Sequence, residues 1–216
     1  MQDIYGYIVS TIYIGLVFLL AKILGRFGKE SSRKCVHILL ANWWIIAMMF
    51  FTTPVYAAIM PAVFIIVNYL SHKFKIIKMI EREKGEDDSL GTVYYAISLT
   101  ILTLLTFGPM KEPLIGLAGI FTMGYGDGFA AIIGKKVKSY KYEISNSIKS
   151  VAGSLTMFVI SLIINGLILM FLGASYWLIK AVIIAIIATF TEAVSAKGTD
   201  NITVPILISG LVYLFI

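Results

Sequence analysis

Apolar residues run along this chain in long blocks separated by short polar stretches. The blocks cover about 4–24, 36–51, 54–70, 90–107, 113–134, 150–172, 176–196 and 202–216. Runs of about 16–22 apolar residues match the thickness of a bilayer better than the core of a soluble domain. The pattern predicts an all-α polytopic membrane protein with about eight transmembrane helices. The last block is the shortest, and its fifteen residues rise only ~22 Å against a ~30 Å hydrocarbon core. The count is seven if that helix does not span.

One connection has its own periodicity. In "SHKFKIIKMIEREKGEDDS", Ile76, Ile77, Met79 and Ile80 fall on one side of a helical wheel, with Lys75, Lys78 and Arg82 on the other. That pattern predicts a short helix lying on the membrane surface near 72–84. Gly85 and the acids Glu86, Asp87 and Asp88 end it.

Composition agrees with the blocks. Of 216 residues, 59% are hydrophobic and 14% charged, whereas soluble domains carry about a quarter charged residues. The chain reads as one integral membrane domain, 1–216, with the first span retained because Met1-Gln2-Asp3 lacks a basic leader. The single cysteine, Cys35, excludes an intrachain disulfide. A net charge of +6 points to phosphate or anionic lipid rather than nucleic acid, because the basic residues lie between spans. Their distribution is lopsided. Sixteen Lys and Arg fall in odd-numbered connections, and only Lys111 and Lys180 fall on the other side. The positive-inside rule then makes the odd connections cytoplasmic and puts both termini outside. Tyr176 and Trp177 suit an outer aromatic belt.

Only two acids fall within the apolar spans proper, Asp127 and Glu192. Such a residue costs about 2.5–3.5 kcal/mol at mid-bilayer on insertion scales, which marks it as a candidate for function. Both are expected in the cytoplasmic half. Arg33, Lys34 and His37 stand at the same level at the start of the second span, Lys149, Ser150 and Ser154 at the sixth, and Asp200 and Asn201 at the eighth. Converging carboxylates suit Mg²⁺, a hard cation that takes oxygen ligands. Lys149, Arg33 and Lys34 could hold phosphate oxygens. Gly124, Gly126 and Gly128 allow a helix to turn or break so that main-chain N–H groups face an anion. Close helix packing would call for the same glycines, and ion transport would call for the same acids. His37 suits either a structural hydrogen bond or proton transfer.

The segments "RKCVH" (33–37), "GDGFAAIIGKK" (126–136), "KSVAGSLTMF" (149–158) and "TEAVSAKGTDNITVP" (191–205) resemble the CTP-dependent polyprenol and lipid-alcohol kinases. This is the group of dolichol kinase, phytol kinase and yeast-type diacylglycerol kinase. The resemblance runs in order from about residue 26 to the end of the chain. The KSxAGS form, with Ala152 where dolichol kinases and CDP-diacylglycerol synthases place Glu, sides with the phytol kinase branch. It implies transfer of the γ-phosphate of CTP, with Mg²⁺, to a membrane alcohol such as phytol, a polyprenol or diacylglycerol. A lipid monophosphate and CDP would result.

By that resemblance Asp127 is the essential acid of the GD motif. Lys149-Ser150 and Gly153-Ser154 are its KS and GS, Glu192 is the acid of the penultimate span, and Asp200-Asn201 is its DN. Arg33, Lys34 and His37 match the early R-K-x-x-H. Asp127, Glu192 and Asp200 would then be metal ligands, and His37 or an acid would be the base. Where relatives often carry G-R-x-x-G, this chain has Gly134 followed by Lys135, so a nucleotide contact made by that arginine would have to come from Lys135 or from elsewhere. Two other readings stay open: a CTP-using cytidylyltransferase of the CDP-diacylglycerol synthase type, and an ion-coupled transporter. The glycine-rich fifth span would also suit a helix interface between copies of the chain.

Overall fold

The computed structural model describes residues 1–25, 29–76, 89–145, 147–196 and 198–216. The chain divides into two compact units, Met1–Pro113 and Leu114–Ile216.

In the first unit α1 (Gln2–Leu24) packs against α2 (Lys29–Ala41) and α3 (Trp43–Phe50), and α4 (Pro54–Phe74) packs against α5 (Gly91–Thr106). Polar side chains tie these helices where apolar contact alone has little driving force in lipid. Trp43 Nε1 donates to the buried Ser10 Oγ at 2.9 Å, and the Tyr13 hydroxyl donates to Leu39 O at 2.6 Å. Asn68 Nδ2 donates to Thr92 O at 3.0 Å between α4 and α5. Thr53 caps α4 by accepting from Tyr56 N, with Pro54 in the first turn where its missing N–H is harmless.

Two expectations change here. The block at 36–51 begins earlier, at Lys29, and is interrupted at Asn42, whose N–H donates to Leu39 O at 3.0 Å in a tightened turn. The break lies in the backbone turn at Asn42, a residue of low helix propensity, and hydropathy does not register it. Residues 72–74 of the expected surface helix belong to the last turn of α4, which ends on Lys75 in the left-handed region (φ 53°). The rest of that stretch, 77–84, lies outside the described residues.

The second unit holds the fifth block as one continuous helical run. It comprises α6 (Pro113–Phe121), a π-helical segment (Thr122–Asp127) and α7 (Gly128–Lys136). A two-stranded antiparallel hairpin follows, β1 (Lys141–Ile144) and β2 (Ser147–Ser150), in the register Tyr142 opposite Lys149. Then come α8 (Val151–Phe171), α9 (Trp177–Val194) and α10 (Asp200–Phe215). The hairpin is an addition to the all-α expectation. Ser145 at its tip has φ 50°, which suits the short turns that join antiparallel strands.

Close approach at small residues holds this unit together. A Cβ at Gly119 would stand 2.2 Å from Pro205 O of α10. One at Gly126 would stand 2.5 Å from Met157 Sδ of α8, and one at Gly153 would stand 3.0 Å from Ala130 O of α7. Asn165 Nδ2, buried on α8, donates to Thr122 Oγ1 at 2.9 Å and fastens α8 to the π segment.

Among the described residues five helices are long and apolar enough to cross a membrane: Gln2–Leu24, Pro54–Phe74, Pro113–Lys136, Val151–Phe171 and Trp177–Val194. Gly91–Thr106 and Asp200–Phe215 are apolar but shorter. Many large apolar side chains point outward, among them Ile8, Ile12 and Leu16 on α1 and Ile163 and Leu167 on α8. In a bilayer these face lipid rather than water.

The packing yields a stability prediction. Gly119→Ala forces α6 away from α10 and is expected to destabilise by about 1–3 kcal/mol, the usual range for overpacking. Gly210→Ala meets nothing within 4 Å and should be neutral or gain up to about 1 kcal/mol from helix propensity. Thermal melting of the two variants in detergent compares them directly; equal melting temperatures would contradict the contact.

Candidate active site: an acid cluster with a paired lysine

The π segment carries the first acid. A π turn adds a residue to the helical circuit and is often found at functional sites. Here it ends on Asp127, which is 6% exposed. The glycines beside it do not break the helix. Gly124, Gly126 and Gly128 are buried, and none adopts a left-handed φ; among the described residues only Gly173 and Gly198 do so as glycines. The side of Gly126 that lacks a Cβ faces Met157, and a Cβ at Gly134 would stand 2.6 Å from Ser150 Oγ. On those sides the space is filled by protein.

The second acid, Glu192, is 4% exposed near the end of α9, and the third, Asp200, opens α10. One carboxylate oxygen from each of Asp127, Glu192 and Asp200 lies within 4.8 Å of the others. Three residues far apart in sequence thus present oxygen ligands to a single point, which is the donor set a hard divalent cation takes. Asn201 braces the third acid. Its backbone N–H and its side-chain Nδ2 both donate to Asp200 Oδ1, at 3.0 and 3.2 Å. Asn201 Oδ1 is buried without a hydrogen-bond partner, leaving one more oxygen able to serve a cation or a ligand N–H. Pro205, one turn on, has no N–H to offer the Asn201 carbonyl.

Lys149 is delivered by β2 and pairs through Nζ with Glu192 Oε1. Burial of the ammonium by itself disfavours its charge. The carboxylate of Glu192, and after it those of Asp127 and Asp200, outweigh that effect and hold the lysine pKa above its ordinary value. The four side chains sum formally to −2 (three carboxylates, one ammonium). The hairpin that carries Lys149 is fixed at its tip, where Ser145 Oγ donates to Val194 O at 2.8 Å, just past Glu192 on α9. At its base the hydroxyls of Tyr142 and Ser154 bond to each other.

Ser150 is the N-cap of α8. Its Oγ accepts from Gly153 N at 3.2 Å and lies 3.4 Å from Gly134 O. The neighbouring amides are also taken, Val151 N by Tyr140 O at 3.0 Å and Ala152 N by Ser139 Oγ at 3.2 Å. The start of α8 therefore satisfies its own donors, and Val151, Ala152 and Gly153 offer an anion no free N–H there.

The structure brings together Asp127, Lys149, Glu192, Asp200 and Asn201 of the residues expected from sequence. Ser150 and Gly153 sit beside them in capping and packing positions. Lys135 is exposed in the last turn of α7, where its charge complements the helix dipole. Arg33, Lys34 and His37 stand on α2 in the first unit, the His37 ring against Tyr95 with centroids 4.5 Å apart. The sequence reading missed Tyr142, Ser139 and Ser145. The alternation in "KYEI" and "SIKS" around a Ser-Asn pair is the signal that would have exposed the hairpin.

Comparison with known proteins adds an independent line. A phytol kinase of Synechocystis is 30% identical over 208 residues, which cover 90% of this chain and 84% of that protein. "Probable phytol kinase 1, chloroplastic" of Oryza sativa is 28% identical over 206 residues, 86% of this chain and 64% of that one. Phytol kinase 1, chloroplastic, of Arabidopsis thaliana is 29% identical over 198 residues, 82% and 64% respectively. The chain thus spans a little under two thirds of the length of these plant relatives. No protein-family model matches the chain, and no solved structure matches it.

Ser150→Ala removes the cap and should cost about 1 kcal/mol of stability, whereas Ser150→Asp should keep most of it. Melting curves of the two variants check this, and an unaffected alanine variant would show the cap to be idle.

Proposed function

Since this chain belongs to the phytol kinase family and is a kinase of a lipid alcohol, we propose that it transfers the γ-phosphate of CTP to an isoprenoid alcohol at the cytoplasmic face of a membrane. The observation that carries the reading is the meeting of Asp127, Glu192 and Asp200 within 4.8 Å beside Lys149. Phosphoryl transfer asks a protein mainly to position its reactants and offset charge. An oxygen-only donor set suits that task. CTP as the donor rests on the resemblance in the GD, KS and DN segments.

Asp127, Glu192 and Asp200 would hold Mg²⁺, with the spare Asn201 Oδ1 as a further oxygen. The bound cation would offset the charge of the nucleotide's phosphates. Asn201 keeps the Asp200 carboxylate turned toward the cluster. Lys149 holds Glu192 in place and, with its charge secured by three carboxylates, stands ready to neutralise charge on the transferring phosphoryl group. The alcohol oxygen forms the new O–P bond as the bond from the γ-phosphorus to the β–γ bridging oxygen breaks. CDP leaves, and the hydroxyl proton passes to a carboxylate of the cluster. The saturated amides at the start of α8 favour a triphosphate held by cation and side chains over one held on a helix N-terminus.

In this reading Arg33, Lys34 and Lys135 supply further positive charge for the nucleotide, and His37 serves α2 or proton transfer. About eight apolar segments cross the bilayer, seven if the last does not span, with both termini outside. The sixteen-to-two distribution of basic residues supports a cytosolic site.

The test supplies purified protein with CTP, Mg²⁺ and a set of isoprenoid alcohols, and follows label from the γ-position into the lipid phase. Release of CDP is expected; release of pyrophosphate would instead mean cytidylyl transfer and would overturn the proposal. Asp127→Asn should lower turnover at least 100-fold, equivalent to about 2.7 kcal/mol of barrier, while leaving the melting temperature near that of the parent. Near-normal turnover would remove Asp127 from the machinery.

A further inference from the structure

Beyond the acid cluster, the second unit contains a cavity of ≈480 Å³ between α8 and α9, large enough for a sizeable small-molecule ligand. Its walls are apolar. Leu155 and Phe158 come from α8, and Ile186 and Phe190 from α9, each pair sharing one helix face. Thr189 also lines it, but its hydroxyl is turned to Ala185 O at 2.8 Å. The only other polar groups are at one end, where Tyr142 and Ser154 bond through their hydroxyls. Among the described residues no charged side chain lines the cavity. Leu155, Ile186 and Phe190 are all exposed, so in a bilayer the groove opens sideways to lipid.

The polar end lies next to the site already described. Tyr142 stands directly across the hairpin from Lys149. Ala193, which lines the groove, follows Glu192 in α9. Ser154 lies one turn into α8, five residues after Lys149. From Ser154 to Phe158, and again from Phe190 to Ile186, the helices rise ~6 Å away from that end. The groove thus runs from the edge of the catalytic cluster into the apolar layer.

The geometry points to this groove as the binding site for the tail of the acceptor alcohol, with the Tyr142–Ser154 pair receiving its hydroxyl end. The assignment rests on the kinase reading above. A neutral hydroxyl matches an uncharged hydroxyl pair. A phospholipid phosphate would find no lysine or arginine among the described residues lining the groove, and at the polar end it would have to compete with Glu192 for Lys149. A lateral opening lets an amphiphile reach the cluster without leaving the bilayer. Residues 142, 154, 155, 158, 186 and 190 would then govern which chain lengths and branches are accepted, and Ser154 would face the acceptor rather than the nucleotide.

The experiment uses the full chain in phosphatidylcholine nanodiscs, with a long-chain isoprenoid alcohol carrying a diazirine in its tail. No nucleotide is added. Cross-links should concentrate on 154–158 and 186–190 and be competed by unlabelled alcohol but not by added phospholipid. In Leu155→Trp/Ile186→Trp, labelling should fall and the KM for the long-chain alcohol should rise about tenfold, with kcat and the KM for CTP unchanged. A short-chain alcohol should be phosphorylated as before. Leu167→Trp, on the lipid side of α8 outside the groove, controls for folding and should leave KM unaltered. Labels scattered over the lipid-facing surface, or insensitive to competing alcohol, would mean ordinary bilayer lipid fills the groove and would overturn the assignment. An unchanged KM in the double tryptophan variant would do the same. Groove labelling without phosphate transfer from CTP would count against the kinase reading alone, and transfer with labelling elsewhere would count against the groove alone.

Discussion

Repulsion among Asp127, Glu192 and Asp200 is the interaction around which the second unit is arranged. Two like charges ~4 Å apart repel by about 1 kcal/mol in water and by about 4 kcal/mol near a protein surface. Three carboxylates sharing one point, two of them almost wholly buried, therefore require positive charge close by. Lys149 supplies part of it, and the hairpin is what carries Lys149 to Glu192. That explains why an otherwise helical chain leaves the helix for fourteen residues between α7 and α8. The hairpin is fastened at its tip to the end of α9 and at its base to α8, so the lysine is held rather than free to swing into solvent.

The same demand reaches into the helix packing. For three acids from three helices to meet, α6–α7, α9 and α10 must approach closely around α8. Lipid gives helices no hydrophobic reason to do so, and the approach comes from small residues and interhelical hydrogen bonds. Gly119 against Pro205, Gly126 against Met157 and Gly153 against Ala130 draw the backbones together. Asn165 and Thr122 fix the depth of the π segment against α8. The π segment then presents Asp127 at its end while the helix continues unbroken into α7.

A chemical consequence follows for a phosphotransferase. Helix N-termini commonly bind phosphate through free N–H groups. At the start of α8 those groups are occupied by Ser150, Ser139 and Tyr140. Charge on a nucleotide would be met here by side chains and a cation held among oxygens. The apolar groove between α8 and α9 complements this arrangement, since it brings the other reactant to the same edge from within the lipid.

Membrane residence, helical architecture and the candidate acids were legible in the chain itself, because hydropathy is a one-dimensional property and an acid in an apolar run stands out wherever the run folds. Asp127 and Glu192 needed no structure to be singled out, and Lys149 and Asp200 followed from the motifs around them. Other features were not legible, since they depend on contacts between distant segments. Glycine spacing alone could not distinguish phosphate cradling from close packing; the atoms opposite Gly126 and Gly134 put packing on their bare sides. The capping role of Ser150 depends on the backbone of Gly153 and Gly134 that folding brings to its hydroxyl. The break at Asn42, the hairpin and the α8–α9 groove left little trace in hydropathy, because each arises from how backbones turn and meet. Composition and pattern by themselves thus determined that the chain enters a membrane as helices bearing a few costly acids. Only the tertiary structure decided that three of those acids converge with a lysine, because burying like charges together depends on the partners that packing brings beside them.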